Sequence, residues 1–166
     1  MKQLKKHQCF LWLTIVVILM GMTACEPRET VLSFETIERS DYSDYSVQEP
    51  RVILVTNQGD ATQLTGLISQ ETLDLLAELD FQQYFAIAVF RGTQATSGYD
   101  VIVDRVARRG DKIVIRAQFW EPSPHWEILN EVTSPYHLVR VRRDDGVSQE
   151  TELVLQSPVI TPTPPF

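Results

Sequence analysis

The run Tyr84-Phe-Ala-Ile-Ala-Val-Phe90 constrains the fold more than any other part of the chain. Side chains along a strand point alternately to opposite faces, and here neither face carries a residue suited to water. The run therefore predicts a central strand that must be covered on both sides. Two further runs follow it. Tyr99–Arg108 places Val101 and Val103 on one face, and Lys112–Trp120 places Ile113, Ile115, Ala117 and Phe119 on one face. Gly110-Asp111 lies between them with the residue types of a tight turn, so the pair reads as a hairpin.

Period-two patterning recurs elsewhere. Val31–Arg39 reads as a first strand, and Arg51–Thr56 is a compact β-branched one. Tyr136–Arg142 sets His137, Val139 and Val141 on a shared face, and Thr151–Gln156 follows the turn residues Asp145-Gly146. His125–Val132 is a candidate for one more strand. One segment has helical spacing: Ile68, Thr72, Leu75, Leu76 and Leu79 fall on a single stripe, with Ser69 placed to cap and Glu71 in the first turn. Six to eight strands and one helix, about residues 68–79, joined mostly by short turns, imply an α+β, mainly β domain. Its expected form is a curved antiparallel sheet, or a sandwich carrying the helix on one face or against an open edge.

The first 25 residues have a different character. Lys2, Lys5 and Lys6 precede the apolar run Phe10–Met20, and Gly-Met-Thr-Ala-Cys25 ends it. The arrangement resembles a bacterial lipoprotein signal peptide, with Met22 in place of the leucine usual three residues before the cysteine. The resemblance implies cleavage after residue 24 and lipid attachment to the Cys25 thiol. A plain membrane anchor and an ordinary secretory signal are the alternatives; the apolar run is short against the roughly 20 residues that a spanning helix needs. On this reading residues 1–24 are a leader, 25–30 a tether and 31–156 one extracytoplasmic domain anchored to the bacterial cell membrane by lipid. Residues 157–166, with Pro158, Pro162, Pro164 and Pro165, form an extended, disordered tail.

Charge narrows the partners. The whole chain carries a net charge of −7, and removing the leader takes away three lysines and no acid, which makes it −10. So acidic a surface repels phosphate backbones, so no nucleic-acid partner is expected. Cys9 and Cys25 are the only cysteines, and both are used up by the leader and the anchor, leaving no thiol for a disulfide or a metal.

Residues 84–142 resemble the PrcB-type C-terminal domain, named for a subunit of a bacterial surface protease complex. Three places carry the likeness: Ala86-Ile-Ala-Val-Phe90-Arg-Gly92, Ala95-Thr-Ser-Gly-Tyr99 and Thr133-Ser-Pro-Tyr-His137-Leu-Val. Ala95 and Ser97 replace the proline and a glycine of the family's turn, and Trp120–Trp126 lacks its Pro-Gly. The resemblance implies an extracytoplasmic module that associates with a protein partner of the protease class, and it implies no catalysis. The Gly92–Tyr99 loop also resembles, over a shorter stretch, the cleft-inserting loop of chagasin-type protease inhibitors, which implies inhibition as the alternative function.

The candidate contact residues are therefore Thr96, Ser97, Gly98 and Tyr99 in that loop, and Trp120 and Trp126 around the prolines at 122 and 124. Each has a plainer reading. Gly98 permits a backbone angle closed to branched residues, Thr96 or Ser97 bonds the local backbone, and Tyr99 starts a strand with its ring on the core. The two tryptophans either cover the sheet end or anchor a partner. No nucleophile elbow surrounds Ser97, and no spacing joins His125 or His137 to a carboxylate dyad. Neither a calcium loop nor a phosphate-cradling loop is present, so no enzyme activity, metal, cofactor or small-molecule substrate is expected. Arg109-Gly110-Asp111 spells an adhesion tripeptide but suits a hairpin tip as well.

Overall fold

The central run at 84–90 is covered on both faces, by a second sheet on one side and a helical layer on the other. A computed structural model of the protein describes residues 28–125, 127–143 and 150–160, with side chains as far as Gln156. The strands are β1 (Glu29–Leu32), β2 (Phe34–Ser40), β3 (Arg51–Val55), β4 (Tyr84–Phe90), β5 (Asp100–Arg109), β6 (Lys112–Glu121), β7 (Tyr136–Arg142) and β8 (Glu150–Ile160). A 3-10 turn (Asp60–Leu64) and the helix α1 (Gln70–Ala77) lie between β3 and β4. One sheet has the order β1-β5-β6-β8 and the other β2-β7-β4-β3.

Alternation along β4 explains the layering. Phe85, Ile87 and Val89 join Val101, Val103, Ile113, Ile115 and Val139 in a core between the sheets. Ala86, Ala88 and Phe90 face the other way, onto Leu64, Ile68, Leu76 and Tyr136. Alanine at 86 and 88 lets the helical layer approach the sheet closely. Full burial of each large side chain in these cores stabilises the fold by about 1.5–3 kcal/mol.

Helix α1 is capped as its sequence suggests: the Thr72 N–H donates to Ser69 Oγ at 3.1 Å. Thr72 and Leu76 are buried, while Leu75 is 50% exposed and lies at the margin of the packed stripe. The Thr72 hydroxyl also donates to Glu38 Oε2 on β2. A bulge between Thr36 and Glu38 makes this possible. One extra residue reverses the facing of all that follow it, so Thr36 faces the inter-sheet core and Glu38 faces the helix.

Four expectations need correction. The single strand read at Val31–Arg39 is two strands in different sheets, because the chain crosses between sheets at Ser33: β1 pairs with β5 and β2 with β7. His125–Val132 forms no strand among its described residues; its backbone is tied to a neighbouring loop instead. Pairing is not all antiparallel, since β8 lies parallel to β6. Because β7 belongs to the other sheet, β8 is reached by a change of sheet and not by a tight hairpin. Finally, β8 runs on to Ile160, into the segment expected to be a disordered tail. Pro158 falls where the β6–β8 register slips between Gln118 and Trp120, a place in an edge strand that tolerates a missing N–H. The turn expected at Asp145-Gly146, the leader expected to end before Cys25, and residues 161–166 lie outside the described residues.

Candidate functional site

Thr96, Ser97, Gly98, Tyr99 and Trp120 gather at one end of the sandwich, where β4 runs out and β5 begins. Arg91, the first residue after β4, is 6% exposed. Its guanidinium carbon lies 4.8 Å from the Tyr99 ring centroid and 4.9 Å from that of Phe119. Nη1 donates to the carbonyls of Asp100 (3.1 Å) and Trp120 (2.9 Å), and Nη2 lies 3.8 Å from Glu121 Oε1. One side chain of the second sheet thus fastens both strands of the β5–β6 hairpin. Burial pulls its pKa below the usual arginine value, and the nearby Glu121 opposes that shift.

The loop after Arg91 is held by its own chain. Gly92 has φ of 94°, and a Cβ there would sit 2.2 Å from the Gln48 carbonyl oxygen. The Thr93 N–H donates to Val47 O, and Gln94 and Thr133 exchange backbone hydrogen bonds at 2.8 and 3.0 Å. Thr96 takes part through its carbonyl, which accepts from the Thr133 hydroxyl at 3.0 Å. Ser97 N–H donates to Leu129 O at 3.1 Å, and Ser97 Oγ accepts from the Leu129 N–H at 2.9 Å. The Ser97 hydroxyl was expected to serve its own turn; it serves residue 129 instead. Gly98 has the expected positive φ, 88°, and lies against Pro122. Tyr99 does not begin a strand with its ring in the core. It precedes β5, is half-buried, and packs under Arg91. The loop is therefore not presented as a free protrusion of the kind a cleft-inserting inhibitor uses.

Two recesses flank this assembly. Gly98, Tyr99, Asp100, Ile102 and Trp120 line a cleft of about 400 Å³, with Arg39 and Asp41 at its side. Arg39 Nε stands 3.6 Å from Asp100 Oδ2. Desolvation raises the Asp100 pKa, and the Val101 N–H and Arg39 partly offset it. Trp120 is partly buried and its Nε1 has no hydrogen-bond partner. Trp126 lies outside the described residues. The second recess, about 260 Å³, is bordered by Tyr42, Tyr45, Thr93, Val132 and Ser134.

The residues missed by sequence reasoning are Arg91 and the apolar side chains of the 127–132 segment. Ile128, Leu129 and Val132 are 44%, 63% and 68% exposed. A lone arginine between an apolar strand and a glycine was the available signal for Arg91; its aromatic partners are Tyr99, at the far end of its own loop, and Phe119 on β6. The His137 ring faces the inter-sheet core and not the loop. It is buried on β7, its Nδ1 accepts from the Val103 N–H, and its Nε2 is bonded to the Thr36 hydroxyl.

The Arg91–Tyr99 loop and the Thr133–His137 segment, held together by the bonds above, fall within one stretch of sequence similarity. Residues 85–142 match the PrcB C-terminal family model. This PrcB-like C-terminal domain covers just over a third of the chain and includes β4 to β7, Arg91, both glycines and the exposed apolar segment. Its covering elements, β1 to β3, α1 and β8, lie outside the PrcB match. No curated protein and no solved structure matches the chain.

Proposed function

We propose that the protein is a membrane-tethered, non-enzymatic binding module that serves an extracytoplasmic protease assembly as an accessory subunit. The PrcB C-terminal match at residues 85–142 carries this reading. The form of the loop end supports it: a pinned loop beside an exposed apolar segment makes a surface for contact. In this reading Cys25 bears the lipid, and Tyr99 and Trp120 line a recess beside the contact surface.

Affinity capture of the full chain from intact membranes tests the proposal. A protease is expected to co-purify, and Cys25→Ser is expected to move the chain out of the membrane fraction. Absence of any protease across growth conditions, or membrane retention unaffected by Cys25→Ser, would overturn the corresponding half.

A further inference from the structure

Five of the eight large apolar side chains exposed among the described residues fall in two short segments, and a loop with none binds those segments together. Tyr42 and Val47 lie in 41–50, and Ile128, Leu129 and Val132 in 127–134. Loop 92–99 joins the two through Thr93 to Val47, Gln94 to Thr133 and Ser97 to Leu129, and the Ser134 N–H donates to Asp41 O at 3.0 Å. Scattered exposed apolar residues need no explanation, but five held on one cross-braced end do.

The charge of the same three segments is one-sided. They contain Asp41, Asp44, Glu49, Glu127 and Glu131, and no lysine or arginine. The Tyr42 hydroxyl donates to Glu131 Oε1 at 2.8 Å, which fixes a carboxylate beside Val132 at the smaller recess. The cations that border these segments in sequence are Arg39, Arg51 and Arg91: Arg39 stands on Asp100 in the other cleft, Arg91 is buried against Tyr99 and Phe119, and Arg51 is exposed at the start of β3.

We infer that this end docks a partner polypeptide segment carrying aliphatic side chains flanked by lysine or arginine. Leu129 and Val132 make the apolar contact, and Glu127 and Glu131 meet the basic flanks. Loop 92–99 is the scaffold that holds them in place. A second copy of the chain would set these carboxylates against themselves, and an anionic membrane surface would repel them. The backbone is already fixed on both sides of Leu129, so binding forfeits little conformational freedom. This inference rests on the accessory-subunit reading and specifies the partner's chemistry.

The test uses the full chain in a zwitterionic detergent and two synthetic peptides of equal length, one alternating leucine with lysine and one alternating leucine with glutamate. The lysine peptide is expected to bind, to shift the amide resonances of residues 128–133, and to weaken as salt rises. Leu129→Ser with Val132→Ser should weaken it by roughly tenfold or more. Leu75→Ser, a comparable change in the exposed helix residue, should leave it intact. Equal binding of both peptides, or binding insensitive to the 129/132 pair, would overturn the inference. So would self-association, or binding to phosphatidylglycerol vesicles, that depends on the same two residues. If the 129/132 variant still co-purifies with a protease from membranes, the docking inference fails and the accessory-subunit reading stands; if the wild-type chain recovers none, that reading itself fails.

Discussion

His137 on β7 accepts a hydrogen bond from the Val103 N–H on β5 across the inter-sheet core, at 2.8 Å. The acceptor role requires an unprotonated Nδ1, so the ring is neutral and its Nε2–H donates to Thr36 Oγ1. Val103 sits where the β5–β6 register slips, and the imidazole satisfies an N–H that the core leaves no water to serve.

A pH dependence follows. Burial, with a smaller contribution from Arg39, lowers the His137 pKa from 6.5 to about 4. The folded value lies below the unfolded one, so the associated stability is complete above pH 6.5 and is lost as pH falls from 6.5 towards 4. The full effect is roughly 3 kcal/mol. Urea unfolding from pH 7.5 to 4.5 should show this decline, and His137→Phe should flatten it relative to wild type while lowering stability at pH 7.5 by about 1–3 kcal/mol through the orphaned Val103 N–H.

Arg91→Lys is expected to behave as a severe change. An ammonium cannot stack between Tyr99 and Phe119 while reaching the Asp100 and Trp120 carbonyls together. The loss should be about 2–4 kcal/mol in denaturant unfolding, and Arg91→Met should not be milder, because it leaves those carbonyls without their donor.

The two glycines of the loop should differ in sensitivity to alanine. Both have positive φ, which costs a residue carrying a Cβ about 1–2 kcal/mol. At Gly92 the new Cβ also meets backbone, the Gln48 carbonyl at 2.2 Å; at Gly98 it meets the Pro122 side chain at 2.8 Å. Gly92→Ala should therefore lower the melting temperature more than Gly98→Ala.

Ser97→Ala removes the acceptor for the Leu129 N–H in a partly exposed place. Global stability should fall by no more than about 1 kcal/mol. Amide hydrogen exchange at Leu129 should rise well beyond that at Ile115 in the core, which would show that Ser97 orders the exposed segment and little else.

What was legible in the sequence was what short-range patterning decides. β4 announced its two buried faces, the β5–β6 hairpin its turn, and α1 its cap at Ser69. The crossing at Ser33 was hidden because Leu32 and Phe34 both pack on the inter-sheet core while the backbone between them changes partner. The parallel placement of β8 depends on which sheet has a vacant edge, a property of the assembled fold. At the loop end, Gly98 could be read from its residue type. The role of Ser97 in holding Leu129, and of Arg91 between two rings, arises only when distant strands meet. The exposed segment looked like a strand because its apolar residues suit one; its hydrogen bonds go to the 92–99 loop instead.

The outer strands of the β5–β6 sheet have a kinetic consequence. Glu29–Leu32 supplies one margin and Glu150–Ile160 the other, so the sheet cannot be finished until the polypeptide has been made past residue 150. Such non-local closure makes for slow folding, and until it happens both flanks of the hairpin stay open to pairing with other chains.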